Sequence, residues 1–349
     1  FKSFCILNQF MEHKFEHVGI QLTTECNRSC AHCLGDYGPN KPSLSLSKEN
    51  VKRYIDQLPK HEVETLWLTG GEPTLYKDLS DILNYAKGKK EETGYPRKIA
   101  MNTNSSWADI EDMLKGEDTI RYLVSLKVSG LDEIYLSYDQ FRTDKDRATV
   151  NTIYNMFAVK QQEGEEQEFY KNAMPEIKIQ RNERIAPVGR GANLPKELWY
   201  KNHHDKSMCC ALDRWAMYTW YQRHPDKKIK DDFKVAPVAT VTPLGLSACS
   251  SLPDTIVVGK LGEDLSVIPE RVQKLSDLFV LMSLESPAEA IKSLRKHINI
   301  PEIEDDCQIC QHLFEKVDRI ELERLCEDKT IEGALDEFRL ERALAFGHS

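Results

Sequence analysis

An α/β fold built on a parallel sheet is what this sequence predicts, and three observations predict it. Short apolar stretches alternate with stretches whose apolar residues fall at helical spacing. The alternation repeats through the first half of the chain, and glycine or polar residues recur just after each short apolar stretch. Strands alternating with helices imply parallel pairing through right-handed crossovers, and such sheets gather ligands at the carboxyl ends of their strands.

The first strand is His17-Val18-Gly19-Ile20-Gln21-Leu22-Thr23, apolar at Val18, Ile20 and Leu22. A helix follows with Ser47 as N-cap, Glu49 near its positive end, and Val51, Tyr54, Ile55 and Leu58 at helical spacing before Pro59. Glu64 to Thr69 reads as the second strand, ending in Gly70-Gly71-Glu72-Pro73, and Leu79, Ile82, Leu83 and Ala86 give the next helical stripe. Lys98 to Met101 is a strand ending at Asn102-Thr103-Asn104, Ile110 to Leu126 is helical, and Glu133 to Leu136 is a strand ending at Ser137-Tyr138-Asp139. A helix over Lys145 to Gln162 runs into the acidic stretch Glu163 to Glu168, expected to be a solvated loop. Glu176 to Gln180 is a strand leading to the glycine-rich turn Ala186 to Ala192.

Beyond Leu194 the pattern changes. Trp199, Tyr200, Trp215, Tyr218, Trp220 and Tyr221 crowd around Cys209-Cys210. Val235 to Val241 and Ile256 to Val258 read as arms of a small antiparallel unit flanking Cys249, and helical stretches surround Cys307-Gln308-Ile309-Cys310. Two domains are therefore expected, at residues 1–194 and 195–349.

A net charge of -9 in 349 residues argues against a surface built to grip phosphate backbones or anionic membranes, so neither nucleic acid nor membrane is an expected partner. Phe1 to His17 lacks the charged start, apolar middle and small-residue cleavage site of a signal peptide, and a cytoplasmic location is expected. The 10 cysteines fall in tight groups, which in a reducing compartment points to metal rather than disulfides.

Cys26, Cys30 and Cys33 share one loop after the first strand. Such spacing suits three corners of an iron-sulfur cube, which then has either a distant fourth protein ligand or an open iron. A zinc site also uses close cysteine pairs, but zinc knuckles sit in small self-contained modules rather than at a strand end.

The C-x3-C-x2-C loop, taken with Gly70-Gly71-Glu72-Pro73 after the second strand, resembles the radical S-adenosylmethionine (radical SAM) enzymes. The resemblance covers the first unit and implies a partial (β/α)6 barrel. It implies that Cys26, Cys30 and Cys33 hold a [4Fe-4S] cluster whose open iron is chelated by SAM. Reduction then cleaves SAM to a 5'-deoxyadenosyl radical that abstracts hydrogen from substrate. Gly70, Gly71 and Glu72 are expected to meet the methionine amino group, with Asn102 and Ser137 as further SAM contacts. His32 stands where many relatives have an aromatic residue, and Arg190 could reach a SAM or substrate carboxylate.

Cys209 or Cys210, Cys249, and the pair Cys307 and Cys310 resemble the ligands of the SPASM and Twitch extensions, supported by Gly245 and by Val258 to Leu261. A full SPASM extension needs seven cysteines for two clusters and six lie beyond residue 194, so one auxiliary [4Fe-4S] cluster in a C-terminal α+β domain is expected. One of Cys209 and Cys210 is then left as a thiol able to donate a hydrogen atom, or as an inert buried cysteine. Cys326 is core or a fourth ligand, and Cys5 is incidental. The layout implies modification of a ribosomally made peptide by epimerisation or crosslinking, with a flavodoxin- or ferredoxin-type electron donor. The alternatives are oxidation of a small polyol or aminosugar, and a redox-sensing iron-sulfur protein without turnover.

Overall fold

A computed structural model of the protein describes residues 14–108, 117–162, 167–182, 190, 193–194, 238–249, 257–269 and 271–272. The elements in chain order are β1 (His17–Thr23), α1 (Lys48–Ile55), β2 (Thr65–Gly70), α2 (Leu79–Thr93), β3 (Lys98–Thr103), α3 (Glu117–Val128), β4 (Glu133–Asp139), α4 (Asp144–Ile153), α5 (Val159–Gln162), α6 (Gln167–Ala173) and β5 (Glu176–Asn182). They continue with β6 (Val238–Thr242), β7 (Gly245–Ser247) and β8 (Val257–Gly259). The strands form one sheet in the order β5-β4-β3-β2-β1-β6-β7-β8.

β1 to β5 pair in sequence order, all parallel, as the strand-helix alternation requires. Strands buried on both faces read as continuous apolar runs, but these alternate. Val18, Ile20, Leu66, Leu68, Ile99, Met101, Ile134 and Leu136 are fully buried and join one core with residues of the helices, among them Val51, Tyr54, Ile55, Ile82, Leu83 and Ile153. The opposite face carries Trp67, Asn102, Tyr135, Ser137 and Lys178, none of them fully buried. An apolar face against helices and a polar face turned away is the pattern of a curved, open barrel wall.

Local chemistry explains the element ends. The Ser47 side chain accepts from the Asn50 backbone N–H at 3.2 Å and so caps α1, with Glu49 in its first turn. α1 ends at Ile55 rather than at Leu58, because Leu58 precedes proline and the helical region is disfavoured there; Leu58 stays buried in the turn that follows. Gly94, at φ 81°, terminates α2 in the left-handed conformation.

Three expectations change. The single helix expected over Lys145 to Gln162 is interrupted by a π-helical turn, Tyr154–Ala158, which turns Phe157 and Ala158 into the core. The end of the acidic stretch, Gln167 and Glu168, belongs to α6 rather than to a loop, its acidic residue sitting in the first turn where the helix dipole favours it. β6, expected as an arm of a separate antiparallel unit, pairs in parallel with β1 from His17↔Val238 to Ile20↔Val241, and only then turns back into the antiparallel β7 and β8. Among the described residues, the sixth parallel strand thus lies beside β1, not beside β5. Among the described residues no helix is long and apolar enough to cross a membrane.

Candidate metal centre

The cysteine loop leaves the carboxyl end of β1 and is tied to its neighbours by backbone. Gly71 N donates to Thr23 O at 2.8 Å and Glu72 N to Glu25 O at 2.7 Å, so the β1–β2 pairing continues past both strands into the two motifs. Glycine is required by this approach. A Cβ on Gly70, at φ 134°, would stand 2.2 Å from Thr23 O, and one on Gly71 would stand 2.1 Å from Glu25 O.

Glu72 is 0% exposed. Its Oε1 accepts from Thr74 N at 3.2 Å, Thr74 Oγ1 at 2.7 Å and Thr103 Oγ1 at 2.8 Å, and its Oε2 from Asn104 N at 2.7 Å. Burial pushes this carboxyl above its ordinary range, against the four hydrogen bonds that favour its ionised form. The side chain therefore ties the ends of β2 and β3 together, with three donors on Oε1 and one on Oε2. Asn104 extends the tie to the loop: its amide nitrogen lies 3.0 Å from Asn27 Oδ1 and 3.7 Å from Cys26 Sγ.

On the opposite side the loop rests on β4 and α4. Arg28 pairs with Asp146 at 2.8 Å, and His32 Nε2 with Asp139 Oδ2 at 3.2 Å. Burial would raise the Asp139 carboxyl, but His32, Arg142 and the Phe141 N–H outweigh it and hold it below the usual range. Arg190 closes the loop from outside. Its Nε donates to Cys30 O at 2.7 Å, Nη1 to Asp36 at 3.0 Å and Nη2 to Tyr37 O at 2.7 Å, while its backbone N–H donates to Cys33 O at 3.0 Å. Expected to reach a SAM or substrate carboxylate, it directs its donors to the loop itself and acts as a clamp; a loop without regular structure leaves carbonyls that a guanidinium fork can satisfy.

The three thiols suit a multi-iron cluster. Burial raises Cys26 and Cys30, and mutual repulsion adds to it: Cys33 raises Cys26, while Cys26 and Cys33 both raise Cys30. Three nearby thiolates with this cost call for positive charge among them. Among the described residues no set of three His, Cys, Asp or Glu side chains closes around a single ion. That condition binds tetrahedral zinc, whereas each thiolate of a four-iron cube takes its own iron. Backbone and side-chain donors also reach the sulfurs, Tyr37 N lying 3.3 Å from Cys33 Sγ.

Asn102 and Ser137 lie on the polar face at the carboxyl ends of β3 and β4, and the buried Asn102 Oδ1 has no hydrogen-bond partner within the described residues. Cys249 follows β7 and is buried. Ser247 pairs with Thr240 and Thr240 with the register of Gly19, so at Cys249 the chain has turned away from the sheet end that carries the cysteine loop. Cys5, Cys209, Cys210, Cys307, Cys310 and Cys326 lie outside the described residues. The roles of Arg190 and Asp139 were not legible beforehand, since neither sits in the spacing pattern of the loop it holds.

A family model described as Radical SAM superfamily matches residues 20–158. Mycofactocin maturase MftC of Mycobacterium ulcerans is 24% identical over 269 residues, covering 70% of this chain and 65% of the relative. GTP 3',8-cyclase of Tolumonas auensis is 31% identical over 104 residues, 30% of each protein. The chain thus spans 65% or less of the length of these two relatives. A crystal structure of BtrN in complex with AdoMet and 2-DOIA superposes with a TM-score of 0.47 at 17% identity, over 85% of this chain and 97% of that one. The matched segment begins at Ile20 in β1, and it takes in all three cysteines, the glycine pair with Glu72, and the strand ends of β2 to β4. Residues 20–158 are therefore a radical SAM domain, the defining unit of a superfamily of enzymes.

Proposed function

We propose that the protein is a radical SAM enzyme that abstracts hydrogen from a ribosomally made peptide, in the course of epimerisation or crosslinking. One observation carries the reading: three cysteines on a loop whose first residues are joined, backbone to backbone, to the Gly70-Gly71-Glu72 turn. A bound [4Fe-4S] cluster and SAM supply one-electron cleavage chemistry there.

The chain's own residues do the rest. Cys26, Cys30 and Cys33 hold the cluster. The backbone of Gly70 and Gly71, with Glu72 beside them, would receive the methionine ammonium, and the unpartnered Asn102 Oδ1 offers an acceptor further along the same face, with Ser137 beyond it. The fully buried helix-side core holds this wall in place, so the side chains at its strand ends keep fixed positions.

The peptide substrate is favoured by the reach of the alignments. The maturase aligns over 70% of the chain, well past the radical SAM domain, while the cyclase aligns over 30%. In the second half, Cys249, one of Cys209 and Cys210, Cys307 and Cys310 are proposed to hold one auxiliary cluster, leaving the other of the adjacent pair as a thiol hydrogen donor. A flavodoxin- or ferredoxin-type protein is the proposed electron source, and the proposed compartment is the cytoplasm.

The test is direct. Protein reconstituted anaerobically with iron and sulfide, then given dithionite and SAM, is expected to form 5'-deoxyadenosine, and C30A to form none. Absence of 5'-deoxyadenosine from cluster-loaded wild type defeats the enzyme reading. Iron counts near eight per chain support two clusters, and counts near four remove the auxiliary one.

A further inference from the structure

Asp139 is the last residue of β4, and its side chain is 0% exposed. Its Oδ2 receives both His32 Nε2 at 3.2 Å and Arg142 Nε at 3.3 Å, and its Oδ1 accepts the Phe141 N–H at 3.0 Å. One buried carboxylate thus joins a strand end, the cysteine loop and a guanidinium. The Arg142 side chain is 7% exposed. Its Nη1 is buried and has no hydrogen-bond partner within the described residues. Leaving a buried donor unpaired is costly, and an ordered water, an ion or a ligand can supply the acceptor.

The same carboxylate fixes where that charge lies. Arg142 Nε and His32 Nε2 meet on Asp139 Oδ2, so the guanidinium stands one shared carboxylate away from the loop segment between Cys30 and Cys33.

We propose that Arg142, positioned by Asp139, places a positive charge beside the loop segment that carries Cys30 and Cys33 and thereby raises the reduction potential of the cluster bound there. This rests on the reading that Cys26, Cys30 and Cys33 hold a cluster. An electron added to a cluster increases its negative charge, so a nearby cation or a donor to sulfur stabilises the reduced form more than the oxidised one. The geometry makes Arg142 rigid in this role, because its Nε is fixed by a carboxylate that two other donors also hold.

Wild type, R142Q and R142M are reconstituted with iron and sulfide and titrated potentiometrically, following the EPR signal that added SAM perturbs, with thermal melts alongside. R142Q is expected to keep its iron count while its midpoint falls. At the wild-type midpoint its reduced-to-oxidised ratio drops about tenfold, equivalent to about 59 mV for one electron. An unchanged midpoint in an intact cluster overturns the proposal, and so does a lower melting temperature with no change in potential, which marks a packing residue. If R142Q does not fold, R142M decides: it keeps much of the side chain's length and removes the charge, so a lowered midpoint supports the proposal and a wild-type midpoint overturns it. Wild type that takes up no iron overturns the cluster reading itself, and shows this before any variant is compared.

Discussion

Asn104 gives its backbone N–H to Glu72 Oε2 at 2.7 Å and points its side-chain amide at Cys26 Sγ, 3.7 Å away. One residue at the end of β3 therefore links the buried carboxylate after β2 to the first cysteine of the loop after β1. The glutamate of the motif is tied to the cysteine loop through this neighbour.

Glu72→Ala should then loosen the loop as well as the fold. Removing the carboxylate leaves the Asn104 N–H and the Thr103 hydroxyl without acceptors in a dry interior, at about 1–3 kcal/mol each. The expected result is a lower melting temperature together with reduced iron retention after reconstitution. E72Q separates shape from charge: its amide NH2 must face donors, so it should fall between wild type and E72A. Full iron retention in E72A would show that the loop does not depend on this tie.

Gly71→Ala should be worse for the metal site than for overall stability. The added methyl meets Glu25 O, backbone that can give way only by displacing the start of the cysteine loop. A cost of about 1–3 kcal/mol is expected in urea unfolding, typical of overpacking. Iron content should fall steeply at temperatures where the rest of the chain remains folded by circular dichroism. If G71A loads iron as wild type does, the close approach is not what the glycine provides.

Arg190 is separated from the cysteine loop by about 150 residues of chain, and its four hydrogen bonds there cross that gap. R190K keeps the charge but can satisfy fewer acceptors, since a lysine has one nitrogen where arginine has a fork. Both R190K and R190A should release iron to a chelator faster than wild type, R190A by about tenfold, the equivalent of about 1.4 kcal/mol. Equal release rates would reduce Arg190 to a surface contact.

What could be read beforehand followed from local rules. The period of apolar residues located β1 to β5, and the glycines and cysteines at strand ends lay where parallel sheets collect ligands. Three things were hidden for one reason, that they depend on which distant segments meet. The pairing of Val238–Thr242 with β1 is set by sheet position, and an apolar stretch of that length carries no mark of its neighbour. The capture of Arg190 by Cys30 and Tyr37 depends on carbonyl directions in an irregular loop. The engagement of Glu72 depends on Thr103 and Asn104, whose polar side chains read equally well as ligand contacts. The π-helical turn at Tyr154–Ala158 was hidden differently, since one extra residue in a helix shifts the apolar stripe without breaking it.

Glu133, 3% exposed, gives the fold a pH dependence separate from the metal site. Its Oε1 receives Lys98 Nζ and Lys178 Nζ, each at 2.6 Å, and its Oε2 receives the Tyr135 hydroxyl at 2.9 Å. Burial alone would raise this carboxyl, but the two ammonium groups and the hydroxyl hold it at about 2, against an ordinary 4.5. A carboxylate whose folded value is depressed stabilises the fold above its unfolded value, and that stability is lost as pH falls toward the folded one. Allowing for solvent around the partly exposed lysines, Glu133 should contribute about 2–3 kcal/mol at pH 7 and about 1 kcal/mol near pH 3. Urea unfolding of wild type and E133Q at both pH values checks this, with the gap between the two proteins expected to narrow on acidification. A gap of the same size at pH 7 and pH 3 would mean that the lysines stabilise the strand floor without drawing on the charge of Glu133.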